Sequence, residues 1–206
     1  MSHNTWIHRL ARTCVRPLVH SPMTPNHLTG LRLLSGLAAS ICLATGQPAW
    51  INTGCGLFII SMLLDRADGE LARLSGKTSA FGHRFDLWTD ALCDSLILLG
   101  LGIGMRDGSF GTWAVAMGSI AAASSGIIFY QVLALDKRLG AGSVMFQAVA
   151  GFDPDDAIII VPLAAAFGFG DWILAAAAVA TPLAVVLVLK HLARISKDND
   201  ESSPSA

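Results

Sequence analysis

Long apolar runs are the feature of this 206-residue sequence that most restricts what it can fold into. A helix needs about 20 mostly apolar residues to cross a lipid bilayer. Only 14% of the residues are charged, against about a quarter in an average soluble domain, and the mean hydropathy is +0.57. The sequence therefore predicts an all-α integral membrane protein with one domain. The six predicted transmembrane helices lie roughly at Leu28–Thr45, Ala49–Leu64, Leu87–Met105, Thr112–Leu135, Ala157–Gly168 and Trp172–Leu189.

The segments outside these spans differ in character. Residues 5–20 place apolar side chains on one face of a helix and arginines elsewhere, which predicts an amphipathic helix in the membrane interface. The segment 196–206 is polar and rich in serine, and we predict that it is disordered. The membrane domain would then cover residues 1–195. The apolar face of the interfacial helix comprises Trp6, Leu10, Val15 and Leu18.

The positions of Lys and Arg predict the orientation in the membrane. Cytoplasmic loops are enriched in these residues. With six spans, all 14 of them except Arg106 fall on the side that also holds both ends of the chain. We therefore expect both termini in the cytoplasm. We also expect a multi-pass protein of a cell inner membrane.

Four aspartates lie near the predicted cytoplasmic ends of the second and third spans. Asp65 and Asp68 share a helix face if the second span continues, and Asp86 and Asp90 share one where the third begins. Two such helices can converge on one cluster, and like charges that are crowded together repel strongly unless a cation binds them. Magnesium prefers oxygen ligands, and two such ions can assist a phosphoryl transfer. The aspartates therefore predict metal-assisted phosphoryl chemistry at the membrane surface.

The residues between the aspartates fit the same chemistry. Gly69 follows Asp68 directly, although a glycine inside a helix costs about 1 kcal/mol relative to alanine. Close approach of a ligand to the backbone is one reason for a glycine there. Ala72, one turn along, is also small, and Arg73 can form a forked, permanently charged contact with phosphate.

The spacing of these residues matches D-x2-D-G-x2-A-R-x8-G-x3-D-x3-D without a gap. This pattern resembles the signature of the CDP-alcohol phosphotransferases. Upstream, the stretch TPNHLT at Thr24–Thr29 resembles the P-N-x-x-T element that members of the family place before their first span. The eight matched positions are Asp65, Asp68, Gly69, Ala72, Arg73, Gly82, Asp86 and Asp90.

The resemblance implies an enzyme that transfers a phosphoalcohol group, often phosphatidyl, from a CDP-alcohol to an acceptor hydroxyl and releases CMP. It implies that the four aspartates bind two divalent ions, Mg2+ or alternatively Mn2+. Asp86 and Asp90 would be catalytic, with Asp90 as the base that takes the acceptor proton. We expect membrane lipids and a second copy of the chain as partners, and no nucleic acid. The residues implied in CDP-alcohol binding are Asn26, Thr29, Asp65, Asp68, Gly69, Arg73 and Ser79.

The acceptor is predicted less directly than the reaction. We expect CDP-diacylglycerol as the donor and glycerol 3-phosphate as the acceptor, with inositol phosphate or another alcohol as the alternative. Asp94 lies one turn past Asp90 and could contact the acceptor or pair within the helix bundle. Lys137 and Arg138 could bind a phosphate of the acceptor, although contact with anionic lipid headgroups is favoured. The candidate residues on the acceptor side are Asp94, Arg84, Lys137 and Arg138.

Two further segments have open interpretations. The loop at residues 151–156 has three carboxylates where some branches of the family have a basic Gly-Arg-Asp element, which argues against binding of an acceptor phosphate through this loop. Capping of the fifth helix by Asp155 or Asp156 is the simpler interpretation. Small residues recur every four positions in the fourth span, which suits either packing within the protomer or a dimer contact. These small residues are Gly118, Ala122 and Gly126.

Other classes of protein explain the aspartates less well. Carboxylates within a membrane also mark the pathways of cation transporters, but the sequence shows no convincing internal repeat of the kind common in transporters. A non-catalytic scaffold derived from the family would usually have lost a metal ligand, and all four aspartates are present. An ordinary solvated loop would leave Gly69 and Arg73 unexplained.

Overall fold

A computed structural model describes residues 13, 15–19, 21–139 and 158–202. These residues are almost entirely helical and contain no strand. A 3-10 turn at Arg16–Leu18 precedes the α-helices. The described α-helices are α1 (Pro25–Ala44), α2 (Pro48–Ser75), α3 (Ala80–Gly104), α4 (Trp113–Leu139), α5 (Ile160–Ala166) and α6 (Gly170–Ser202).

The described helices confirm an all-α membrane protein. Five of them, all except α5, are long and apolar enough to cross a bilayer. Helix α5 occupies the place of the predicted fifth span, Ala157–Gly168, and has only 7 residues. Seven residues rise about 10 Å, a third of the hydrocarbon thickness. The helix ends where Gly168 adopts a φ of +83°, and Ala157 lies outside the described residues.

The structure describes the two ends of the chain to different extents. Helix α6 continues to Ser202, so the prediction of disorder from residue 196 is wrong for residues 196–202. These residues contain neither glycine nor proline, so nothing in them interrupts the helix that precedes them. Most of the predicted interfacial helix, including Trp6 and Leu10, lies outside the described residues.

The described part of the N-terminal segment packs against the bundle. Val15 is 1% exposed and forms an apolar cluster with Leu28 of α1 and Leu71 of α2. Leu18 packs against the same cluster. Two of the four residues on the predicted apolar face therefore contact protein.

Helix α1 packs mainly against α2 and α3, α3 also packs against α4, and α4 also packs against α6. The main core lies among these helices. Burying these apolar side chains against one another places α1, α2 and α3 side by side, and these three helices carry the aspartates and the P-N-x-x-T element. The largest members of the core include Leu43, Phe58, Ile97, Leu98, Leu101 and Leu174.

The small residues of α4 pack within the protomer. A Cβ atom on Gly118 would lie 2.7 Å from the Cα of Gly102 on α3, and a Cβ on Gly102 would lie 2.7 Å from the Cα of Gly118. Ala122 packs against the main core. The two backbones therefore touch at this crossing, which accounts for the stripe without a dimer contact.

The turn between α2 and α3 brings the two halves of the signature together. Helix α2 has 28 residues; at 1.5 Å per residue it is about 42 Å long, which exceeds the roughly 30 Å of bilayer hydrocarbon. Its last turns, with Asp65 and Asp68, are therefore placed toward a membrane surface. The helix ends at Gly76 with a φ of +66°, a left-handed conformation that glycine adopts without strain. Ser79 then caps α3 by accepting a hydrogen bond from the backbone N–H of Gly82 at 2.9 Å.

We predict that Gly118→Ala destabilises the protein, because the added methyl group must push two backbones apart. The expected loss is about 1–3 kcal/mol of unfolding free energy, the usual cost of overpacking, measured as a lower Tm in detergent. Gly56→Ala on α2 is the matched control, because a Cβ there meets nothing within 4 Å. Equal Tm values for the two variants would contradict the backbone contact.

Candidate active site

Three aspartates converge between α2 and α3. Asp65 and Asp68 lie near the end of α2 and Asp86 lies near the start of α3. Each offers one carboxylate oxygen, and these oxygens lie within 4.8 Å of one another. The predicted convergence of the two helices is therefore present for three of the four aspartates.

Arg32 of α1 lies among these carboxylates. Its Nη1 is 2.6 Å from Oδ1 of Asp65 and 3.2 Å from Oδ1 of Asp86, and its Nη2 forms an ion pair with Oδ1 of Asp90. The side chain of Arg32 is only 7% exposed. One buried guanidinium group thus connects three helices through charge.

Asp90, the predicted fourth metal ligand, is placed differently from the other three. It lies one turn beyond Asp86 on α3, outside the group of three converging carboxylates. Its side chain is 37% exposed and its Oδ1 is bound by Arg32. Asp90 therefore lies outside the compact three-carboxylate group, although Arg32 pairs with it as well as with Asp65 and Asp86.

The upstream element supports the same site from α1. The Oγ1 of Thr29 donates a hydrogen bond to Oδ2 of Asp68 at 2.7 Å, and Asp68 is 4% exposed. Asn26 lies against the start of α3, because a Cβ atom on Gly82 would lie 2.7 Å from its Oδ1. A glycine at this position leaves room for the asparagine. Ser79 lies beside them as the cap of α3, and its Oγ would lie 3.0 Å from the same Cβ.

Gly69 and Arg73 share an open face of α2. A Cβ atom on Gly69 would have Nη2 of Arg73 as its nearest neighbour, at 3.6 Å, which is an ordinary van der Waals distance. Packing within the protein therefore does not require glycine here. Arg73 is 45% exposed, and its Nη2 donates to Oε1 of Glu70 at 3.1 Å. A buried carboxylate thus holds an accessible guanidinium group beside a bare stretch of helix.

Of the predicted acceptor-side residues, the structure describes the side chains of Asp94 and Arg84. Asp94 lies one turn beyond Asp90 and is partly buried. Arg84 is exposed, and its Nε donates to the carbonyl of Ala80 on its own helix at 3.3 Å. Lys137 and Arg138 lie at the end of α4, and their side chains fall outside the described residues, as do residues 151–156. These assignments stay predictions.

Three residues of the site were not predicted from the sequence. Arg32 was counted only as a basic residue near the first span, although a charged residue within a span is a signal of function. Its spacing of three from Thr29 places both on one face of α1. Ser61 donates from Oγ to the carbonyl of Arg32 at 2.9 Å, and Glu70 is 1% exposed beneath Arg73. The hydroxyl of Ser61 and the carboxylate of Glu70 carry no sequence signal that separates them from ordinary packing residues.

The residues present fit a divalent cation. The three converging ligands are all carboxylate oxygens, the type that Mg2+ and other hard ions prefer. In addition, Nε of Arg32 is buried and has no hydrogen-bond partner within the described part of the chain. The guanidinium group of Arg32 therefore contacts these carboxylates through its two terminal nitrogens, Nη1 and Nη2.

Comparison with known proteins identifies the family. The model of the CDP-alcohol phosphatidyltransferase family matches residues 22–189, which is most of the chain. The protein belongs to this family. The match confirms the resemblance inferred from the signature, and it includes all eight signature positions and the upstream element from Thr24 onward.

Individual relatives are more distant. The chain is 36% identical over 104 residues to an archaetidylinositol phosphate synthase of Pyrococcus horikoshii, a match that covers 44% of this chain and 53% of the relative. It is 32% identical over 111 residues to a bifunctional IPC transferase and DIPP synthase of Aquifex aeolicus, covering 53% of this chain and 25% of that protein. The chain thus spans about half or less of the length of these relatives.

A solved structure shares the fold. The phosphatidylinositol phosphate synthase of Mycobacterium tuberculosis, crystallised with CDP-DAG bound, superposes with a TM-score of 0.68 at 23% sequence identity. The superposition covers 88% of this chain and 92% of that structure. The arrangement of helices described above is therefore that of a known member of the fold.

Proposed function

We propose that this protein transfers a phosphatidyl group from CDP-diacylglycerol to the hydroxyl of a small phosphorylated alcohol and releases CMP. The observation that carries the proposal is the convergence of Asp65, Asp68 and Asp86 within 4.8 Å beside the open face of Gly69 and Arg73. Membership of the family supports the reaction class. The crystallised structural relative has CDP-DAG bound, which supports the donor.

The donor would bind along the last turns of α2. The bare backbone at Gly69 gives the CDP group close access to the helix, and the accessible guanidinium of Arg73 pairs with a phosphate. Thr29 orients Asp68 by a hydrogen bond at 2.7 Å, while Asn26 and Ser79 line the neighbouring start of α3. These contacts position the diphosphate next to the carboxylates, and positioning is a large part of catalysis in such transfers.

The carboxylates would bind divalent ions, for which we propose Mg2+, with two ions per site and Mn2+ as a substitute. When bound, such an ion offsets negative charge on the diphosphate. Asp65, Asp68 and Asp86 are the residues whose oxygens already converge. We assign Asp90 to complete this set and to accept the proton of the acceptor hydroxyl. That hydroxyl attacks the phosphorus nearest the lipid, and the bond to CMP breaks.

The acceptor that we favour is an inositol phosphate, with glycerol 3-phosphate as the alternative that the sequence analysis placed first. The names of the relatives described above include archaetidylinositol phosphate and phosphatidylinositol phosphate synthases. Both acceptors carry a phosphate, which an arginine near the carboxylates could bind. Arg66, whose Nη1 lies 3.3 Å from Oδ2 of Asp65, and the exposed Arg84 are candidates on α2 and α3.

We further propose an inner-membrane protein whose active site faces the cytoplasm. The distribution of Lys and Arg supports this orientation.

A homodimer is also proposed, and α6 offers exposed apolar side chains for it, including Val179, Leu183 and Leu187. Light scattering of the purified protein in detergent would test the dimer.

The reaction is tested by release of CMP from CDP-diacylglycerol and Mg2+ in detergent. We expect release with inositol 1-phosphate or glycerol 3-phosphate and none with free inositol, serine or phosphatidylglycerol. Asp90→Asn should lower kcat by about 100- to 10,000-fold, the range for loss of a general base. Wild-type protein that binds CDP-diacylglycerol and Mg2+ but releases no CMP with any acceptor would contradict the proposed transfer.

The role of Gly69 generates a second prediction. Gly69→Ala should leave the Tm unchanged, because the added methyl group has only an ordinary contact with Arg73 at 3.6 Å. It should lower kcat/KM for the CDP-alcohol on the order of a hundredfold, because the methyl group displaces a positioned substrate. Gly56→Ala, on the same helix with nothing within 4 Å of its Cβ, should change neither quantity. Full activity in Gly69→Ala would argue against close approach of substrate to this backbone.

Orientation can be measured by labelling single cysteines. Lys77 is exposed in the turn between α2 and α3, and Asp107 has a side chain that is 88% exposed at the opposite end of α3. With Cys14 replaced by serine, a membrane-impermeant maleimide should label Asp107→Cys in intact bacterial spheroplasts. It should label Lys77→Cys only after the membrane is opened. The reverse pattern would place the active site outside the cytoplasm.

A further inference from the structure

Arg32 is a buried cation held almost entirely by carboxylates. Its side chain is 7% exposed and pairs with Asp65, Asp86 and Asp90. Its Nε has no hydrogen-bond partner among the residues that the structure describes. Burial of a charged group is costly unless the group is paired, so the three carboxylates are what keep the guanidinium group in this position.

The carboxylates need Arg32 for the same reason. Four aspartates are concentrated over two adjoining helix ends, and Asp68 is 4% exposed. Like charges this close repel strongly in a medium of lower dielectric constant than water. Arg66 also contacts Asp65, through Oδ2 at 3.3 Å. Arg32 pairs with aspartates on both α2 and α3, so it joins the two halves of the cluster.

We propose that Arg32 is an internal counter-cation that competes with divalent ions for the aspartate cluster. In the structure it holds Asp90 and bridges Asp65 to Asp86. When ions neutralise these carboxylates, its attraction to them falls and it gives up Asp90, which then becomes available as a ligand and base. The inference rests on the proposed function only in that it assumes a divalent ion binds at these aspartates.

The location of Arg32 suits this role. The backbone of the residue is held on α1 by its helix and by the hydrogen bond from Ser61 to its carbonyl at 2.9 Å. Within the described ranges, the guanidinium group itself has no comparable anchor besides the carboxylates. The long side chain can therefore move while the helix stays in place. A competitor of this kind prevents the empty cluster from repelling itself apart and tunes how tightly ions are bound.

Binding of Mn2+ alone, followed by electron paramagnetic resonance, tests the proposal without lipid substrates. We expect Arg32→Gln to bind Mn2+ at least about tenfold more tightly than wild type, because a buried competing charge is removed. Arg66→Gln is the matched control, which removes one positive charge beside the same Asp65. It should change the affinity by less than Arg32→Gln does, because the side chain of Arg66 is 18% exposed against 7% for Arg32, so water screens its charge more.

Thermal unfolding gives an independent readout. Metal-free Arg32→Gln should have a lower Tm than wild type, and Mn2+ should raise its Tm by more, since tighter binding stabilises the native state further. Arg32→Lys serves if the glutamine variant does not fold without metal. Lysine keeps the positive charge but cannot fork between carboxylates. We therefore expect the Mn2+ affinity of Arg32→Lys to lie between that of wild type and that of Arg32→Gln.

The outcomes separate the two proposals. If wild type binds Mn2+ and removal of Arg32 leaves the affinity unchanged or lowers it, Arg32 is a structural or ligand-orienting residue and the competition is refuted. The proposed transferase function would survive that result. If neither wild type nor Arg32→Gln binds Mn2+, the metal-dependent function fails together with the inference.

Discussion

Compensation of concentrated negative charge is the constraint on which the site depends. Four carboxylates lie where two helices leave the apolar layer, and one of them, Asp68, is almost fully buried. Such a group persists only when it is paired or hydrogen-bonded. Thr29 supplies the hydrogen bond to Asp68, and Arg32 supplies the charge that joins the others. Helix α1, which carries both residues, is therefore as much a part of the site as the two helices that bear the signature.

The apolar packing of the bundle makes this arrangement possible. Helices α1, α2 and α3 are held together by a core that includes Leu43, Phe58 and Leu101, well away from the charges. Glycine contacts such as that between Gly102 and Gly118 bring neighbouring helices to backbone distance. The closely packed part of the protein thus lies along the middle of the bundle. The polar end of the bundle has an open helix face at Gly69 and an accessible guanidinium group at Arg73.

Three glycines within residues 65–90 have different physical roles although the sequence presents them alike. Gly82 leaves room for Asn26, so it is needed for the arrangement of the protein itself. Among the described residues Gly69 has no close neighbour that requires it, and we propose that a ligand approaches its backbone. Gly76 ends α2 at a positive φ and lets the chain turn into α3. Only the tertiary contacts distinguish these three cases.

The sequence by itself determined the class of protein, the family and most of the helices, because apolar run length and the spacing of eight fixed positions are local features that can be read without a structure. It also determined that Asp65 and Asp68, and likewise Asp86 and Asp90, share a helix face. Residues 196–202 were predicted wrongly because polar composition was taken for disorder where no residue stops the preceding helix. Only the tertiary structure decided that three aspartates converge while Asp90 pairs with Arg32. Arg32 and Asp90 are 58 positions apart in the sequence. Helix packing sets the distance between their side chains, so no local sequence pattern predicts that they pair.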